Sequence, residues 1–175
     1  METQEFLMVA AVGSEPAVLN KITSAFLKRH IAVESLNVSE SPVSDINTVV
    51  VTARTDEETM RRLTVSLESV YDVVHAAYYR PEDLVRQELA LYKVPAGRGE
   101  TVLQSIPRRH KGRVIERNGE YIILEKSGDR TQLESLRQTL EKEGVLEGYS
   151  RSGNIVLHKD PLENFYEDTR ISLAM

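Results

Sequence analysis

Apolar and polar positions along this chain follow a rhythm that runs through twice. Residues 5–12 (EFLMVAAV) are apolar on both faces, with Phe6, Met8 and Ala10 opposed to Leu7, Val9 and Ala11. That pattern predicts a central strand whose second face is covered by another domain or subunit. Gly13 turns the chain, and Ser14-Glu15-Pro16 predicts a helix start: a hydroxyl or carboxylate can cap free N–H groups, and proline has none to leave unpaired in a first turn. Leu19, Ile22 and Phe26 then recur at helical spacing, and after His30 the residues Ile31, Val33, Leu36 and Val38 predict a strand. Ser41-Pro42-Val43-Ser44-Asp45 carries turn chemistry, so the β-branched run 46–53 is expected to fold back as a hairpin. Thr55 and Glu58 have capping-box spacing ahead of a stripe of Met60, Leu63, Leu67 and Val70, and residues 72–79 (DVVHAAYY) form a fourth strand. The order β-α-β-β-α-β is the ferredoxin-like, split-βαβ arrangement.

Arg80-Pro81-Glu82-Asp83 predicts a boundary, and the same order starts again beyond it. A strand over 84–94 opposes Leu89, Leu91 and Lys93 to Ala90 and Tyr92; a loop at Pro95–Gly99 and a weaker helix from Thr101 to about Arg109 follow. Residues 113–116 and 121–125 flank Asn118-Gly119, a strong hairpin signal. Asp129 with Gln132 opens the last helix, its stripe is Leu133, Leu136 and Leu140, and Gly144 ends it. Residues 145–149 and 154–158 are expected to pair around Arg151-Ser152-Gly153. The reading is therefore α+β, with tandem βαββαβ units: one domain over residues 1–80, a second over 84–159, and a tail over 160–175. Units this small have little core of their own, which predicts domain packing and a homodimer.

The chain's net charge of -5 argues against general nucleic-acid binding, which needs a basic surface. Tyr78-Tyr79 on such a sheet resembles a base-stacking pair, but the acidic balance and the lack of an RNP1-like run argue against that use. Without cysteine there are no disulfides, thiolate metal sites or cysteine nucleophiles. No apolar run reaches the length of a membrane span, and the first residues lack a basic signal region, so the expected location is cytoplasmic. His30, His75, His110 and His158 are scattered without metal-binding spacing, and no nucleotide or nucleophile motif occurs. Neither catalytic nor metal-ligating residues are assigned. The basic run 108–113 reads as a solvated helix end or an acidic-partner site. The loop after the first strand is the one place suited to chemistry, because a helix N-terminus presents free backbone N–H groups to a small carboxylate.

Three runs, KRHIAVESLNV (28–38), YDVVHAAYY (71–79) and RQELALYKV (86–94), resemble the regulatory small subunit of acetohydroxyacid synthase, also called acetolactate synthase. GRVIERNGEYIILEKSGDRTQLESL (112–136) and VLEGYSRSGNIVL (145–157) carry the resemblance through the second half. It implies an N-terminal ACT domain that dimerises and binds an effector, followed by a second α+β domain. It also implies a non-catalytic subunit that binds and activates the large catalytic subunit in branched-chain amino-acid synthesis and confers feedback inhibition by valine or a related amino acid. Thiamine diphosphate, magnesium and FAD are then expected on that partner and no cofactor on this chain. The family's effector loop places an Asn at Ser14, a Gly at Ala17 and a Leu at Leu19, and a second Asn at Ala32. A hydroxyl replaces an amide at Ser14, a methyl intrudes at Ala17, and Ala32 has no polar atom. The expected effector residues are Ser14, Ala17, Val18 and Ala32, with the amides near Ala17 and Val18 as the remaining anion donors. Each lost hydrogen bond to a charged ligand weakens binding by about 1–3 kcal/mol, which predicts reduced or altered valine sensitivity. A stand-alone ACT-type amino-acid sensor is the alternative. A small enzyme on the same scaffold is disfavoured, because no catalytic constellation can be assembled.

Overall fold

The first strand, β1 (Gln4–Gly13), is the centre of the N-terminal unit. It pairs antiparallel with β3 (Ile46–Thr55) on one side and β4 (Val73–Tyr79) on the other, and β2 (Val33–Glu40) completes the order β2-β3-β1-β4. Helices α1 (Ala17–Leu27) and α2 (Glu57–Glu68) cover one face. There Phe6, Met8, Ala10 and Val12 of β1 and Val49, Val51 and Ala53 of β3 meet Val18, Ile22 and Phe26 of α1 and Met60, Leu63 and Leu67 of α2. This is the βαββαβ unit predicted from the pattern. The computed structural model describes residues 3–106, 110, 112–160 and 164–174.

The opposite face carries Leu7, Val9 and Val50, and it is covered from within the unit. The chain returns at Asn154, and Leu84, Val156 of β9 (Ile155–His158) and Phe165 of α5 (Phe165–Ala174) pack over those side chains. Asn154 Nδ2 donates to Thr52 Oγ1 at 3.1 Å, both residues being buried. The Phe165 ring lies 5.0 Å from His75 and the His158 ring 5.1 Å from Tyr79. Lys159 donates its N–H to the Asp83 carbonyl at 2.9 Å. The two compact units are accordingly Met1–Val85 with Asn154–Met175, and Arg86–Gly153. This differs from the expected division into 1–80, 84–159 and a tail over 160–175. A strand apolar on both faces needs two covers, and the hydrophobic pattern does not say which distant segment supplies the second.

The second unit repeats the topology with β5 (Leu84–Pro95), α3 (Arg98–Ser105), β6 (Arg113–Arg117), β7 (Tyr121–Gly128), α4 (Arg130–Lys142) and β8 (Gly148–Arg151), along the path β6-β7-β5-β8. Ala90, Tyr92, Val94, Ile122 and Leu124 are buried with Leu103, Leu133, Leu136 and Leu140. The Tyr92 hydroxyl donates to the Leu133 carbonyl at 2.8 Å, and burial raises its pKa well above the ordinary phenol value. Arg151 Nη1 reaches both carboxylate oxygens of buried Glu88, at 3.2 and 2.9 Å.

Local expectations hold where the signal lies in a few adjacent residues. Asp129 and Gln132 form both halves of the capping box, and Asn118 Oδ1 accepts the Glu120 and Tyr121 amides at 2.8 Å each in the hairpin turn. Several boundaries move. Asp56, not Thr55, caps α2 by accepting the Thr59 N–H at 3.0 Å, while Thr55 stays in β3. Helix α3 begins at Arg98, just after Gly97 in the left-handed region at φ 72°. Gly99 in its first turn has no room for a side chain, since a Cβ there would lie 2.8 Å from Val94 Cγ2. The expected pairing of 145–149 with 154–158 does not form: β8 pairs with β5, Ala90 opposite Arg151, and β9 belongs to the first unit. Ser152 extends the β5–β8 ladder, donating its N–H to the Leu89 carbonyl at 2.9 Å and accepting the Leu89 N–H on its hydroxyl at 3.0 Å. The chain then turns at Gly153 with φ 84°.

Two substitutions test this architecture. Asn154→Ala leaves the Thr52 hydroxyl buried without its donor, and urea denaturation is expected to show a loss of about 1–3 kcal/mol; a free tail would show none. Asp129→Ala removes the cap of α4 and is expected to cost about 1 kcal/mol by the same measurement.

Candidate functional site

The end of β1 lies beside two other chain reversals, and hydrogen bonds tie the three together. Gly13 donates its N–H to the Asp72 carbonyl at 2.8 Å, just before β4. Ser14 Oγ donates to the Asp45 carbonyl at 3.3 Å, in the turn between β2 and β3. Asp45 and Asp72 both occupy the left-handed region, at φ 62° and 74°, which aspartate tolerates better than most residues. The Asp72 carboxylate lies over Gly13, where a Cβ would stand 3.5 Å from its Oδ1. Beside this junction is an open depression of about 290 Å³ lined by Ser14, Glu40, Ser41, Val43, Ser44, Asp45, Ile46 and Asn47.

The four residues expected at the effector site are not equivalent. Ser14 is exposed, and its hydroxyl ties the loop to the hairpin rather than capping α1, whose N-cap is Pro16 with no side-chain hydrogen bond. Ala17 is exposed as the first residue of α1. Val18 has its side chain in the core, and its N–H donates to the Glu15 carbonyl at 3.1 Å, so this amide is already engaged. Ala32 is exposed ahead of β2, at the other end of the sheet. Val33 pairs with Ala53 while Glu40 pairs with Asn47, a separation of roughly 23 Å along the strand. Within one copy the fold gathers Ser14, Ala17 and Val18 and leaves Ala32 remote.

The electrostatics also differ from an anion seat. Glu40 and Asp45 line the depression, and none of the described lining residues is Lys or Arg. Asp72 Oδ2 is buried and has no hydrogen-bond partner among the described residues. The arrangement suits an ammonium or another donor better than a bare carboxylate. Asp45 and Asp72 are missed in the sequence because one reads as ordinary turn chemistry and the other as a strand start. Elsewhere, residues 107–109 and 111, which hold most of the basic run, lie outside the described residues, and Arg113 pairs with Glu125 at 3.1 Å. Among the described residues no three His, Asp or Glu side chains converge as metal ligands.

Two antiparallel sheets of this topology, each packed against helices, define an α+β protein with a tandem ferredoxin-like βαββαβ fold. Residues 87–160 match the family model described as the small subunit of acetolactate synthase. The acetolactate synthase small subunit of Mycobacterium leprae is 29% identical over 86% of this chain and 89% of its own length. That of Bacillus subtilis is 24% identical over 96% of this chain and 98% of its own. The crystal structure of the acetolactate synthase small subunit from Thermotoga maritima shares the fold with a TM-score of 0.77 at 23% identity, covering 90% of this chain and 98% of that one. The resemblance carried by the sequence is thus borne out: the chain is similar to acetolactate synthase small subunits along most of its length.

The buried Asp72 Oδ2, which has no partner among the described residues, gives a direct check on this geometry. Asp72→Asn keeps a residue that tolerates the left-handed backbone while removing a partly buried charge, so thermal unfolding is expected at an equal or higher midpoint. A clear fall would show that the carboxylate has a partner and that the loop is built otherwise.

Proposed function

We propose that this chain is a non-catalytic regulatory subunit that binds the large catalytic subunit of an acetolactate synthase and raises its activity, with a weakened or altered response to valine. The observation that carries the reading is the tandem βαββαβ architecture together with similarity to small subunits along nearly the whole chain. Thiamine diphosphate, magnesium and FAD belong on this reading to the catalytic partner.

The effector site is completed between two copies. Strand β2 is an edge strand with Val33 and Val38 each 39% exposed, so its unpaired N–H and C=O groups are open to a second copy. Antiparallel pairing of two such edges places the start of one β2 beside the end of the other, bringing Ala32 of a second copy toward Ser14 and the β2–β3 turn. The site then contains a serine already bonded to Asp45, an alanine without polar atoms, and the carboxylates of Asp45 and Asp72. It has groups for an ammonium and few for the rest of an amino acid, which is the reason a weak valine response is expected.

Adding the protein to the catalytic subunit of its synthase is expected to raise the rate and to yield a complex on size-exclusion chromatography; no stimulation and no complex would end this reading. In the active complex, millimolar valine is expected to inhibit weakly or not at all. Ala32→Asn combined with Ala17→Gly is expected to strengthen that inhibition, and strong inhibition of the unmodified complex at low micromolar valine would contradict the site as described.

A further inference from the structure

The face of the first sheet that lies under the C-terminal segment is not evenly covered. Thr52 and Thr48 sit on the same face of β3, alternating with Val49 and Val51 of the helix-side core. Thr52 receives a hydrogen bond from Asn154. Thr48 is only 9% exposed, and its Oγ1 has no hydrogen-bond partner among the described residues. In front of Thr48 is a cavity of about 100 Å³, walled by Val9 and Leu84 on one side and by Val156, Leu157 and Phe165 of the returning segment on the other. It shares no lining residue with the depression at the end of β1.

We propose that this cavity is a binding site for a small, neutral, mainly apolar molecule with one hydrogen-bonding group, which the Thr48 hydroxyl engages. A buried hydroxyl without a partner is costly, and a ligand carbonyl or hydroxyl there removes that cost. The apolar walls supply the rest of the affinity through burial of the ligand's hydrocarbon. The size fits: an apolar protein cavity of about 150 Å³ holds benzene, so this one takes a body of about four to six heavy atoms. None of the described lining residues is Lys, Arg, Asp or Glu, so a zwitterion such as a free amino acid would lose its hydration without ionic partners. The lining residue His158 already accepts the Asp160 N–H on Nδ1 at 3.1 Å. The ligand bridges the sheet and the C-terminal segment, so its binding holds that segment in place.

Titration of the full chain with isobutanol and with 3-methyl-2-butanone, followed through methyl NMR signals, tests the site. Saturable shifts are expected in the Val9, Leu84, Val156 and Leu157 methyls, and none of comparable size with valine. Thr48→Val keeps the shape and removes the hydroxyl, so it is expected to fold with an undiminished thermal midpoint and to bind both probes about five- to tenfold more weakly, while Thr48→Ser retains binding. The absence of saturable shifts, shifts centred elsewhere, equal affinity in Thr48→Val, or valine binding as well as the neutral probes would each overturn the proposal.

Discussion

The burial of β1 on both faces is the constraint from which the rest of the structure follows. Phe6, Met8, Ala10 and Val12 need the two helices, and Leu7 and Val9 need a second layer. An apolar strand left bare on one side would expose a hydrophobic surface that a soluble domain does not tolerate. The second layer comes from residues far along the chain, so the first unit encloses the second in sequence. Leu84, Val156 and Phe165 are consequently part of the N-terminal fold, although two of them lie beyond residue 150.

The same strand positions the loop site. Because β1 lies between β3 and β4, its C-terminal end meets the β2–β3 turn and the residue before β4, and the backbone of Gly13 and the hydroxyl of Ser14 join these points. Joining them uses the donors that would otherwise face a ligand. The Ser14 hydroxyl and the Val18 amide have intramolecular acceptors, and the charged side chains that line the depression are the carboxylates of Glu40 and Asp45. A rigid junction is retained, while the polar groups for an anion are reduced.

Much of the fold was legible in the sequence because its signals are local. The capping box at Asp129, the turn at Asn118-Gly119 and the stripes Met60-Leu63-Leu67 and Leu133-Leu136-Leu140 each depend on residues within a turn or two of one another. The cover over Leu7 and Val9 was not legible, since Val156 and Phe165 carry no mark of the surface they meet. The candidate site was legible only in part. Ser14, Ala17 and Val18 are neighbours in the chain, but Asp45 and Asp72 reach the site through strand register, and Ala32 is separated from it by the length of β2. The side-chain losses at these positions could be read directly; the internal use of Ser14 and Val18 required the fold.

Because a single strand with two covers organises the first unit, its elements should open together. Native-state hydrogen exchange, resolved by residue, measures this directly. The amides of β9 and of the interior of α5 are predicted to exchange with the same opening free energy as those of β1 and β4, as members of one cooperative unit. Rapid exchange throughout residues 155–174 while β1 remains fully protected would contradict the account, because the outer face of β1 would then be held by something other than the returning chain.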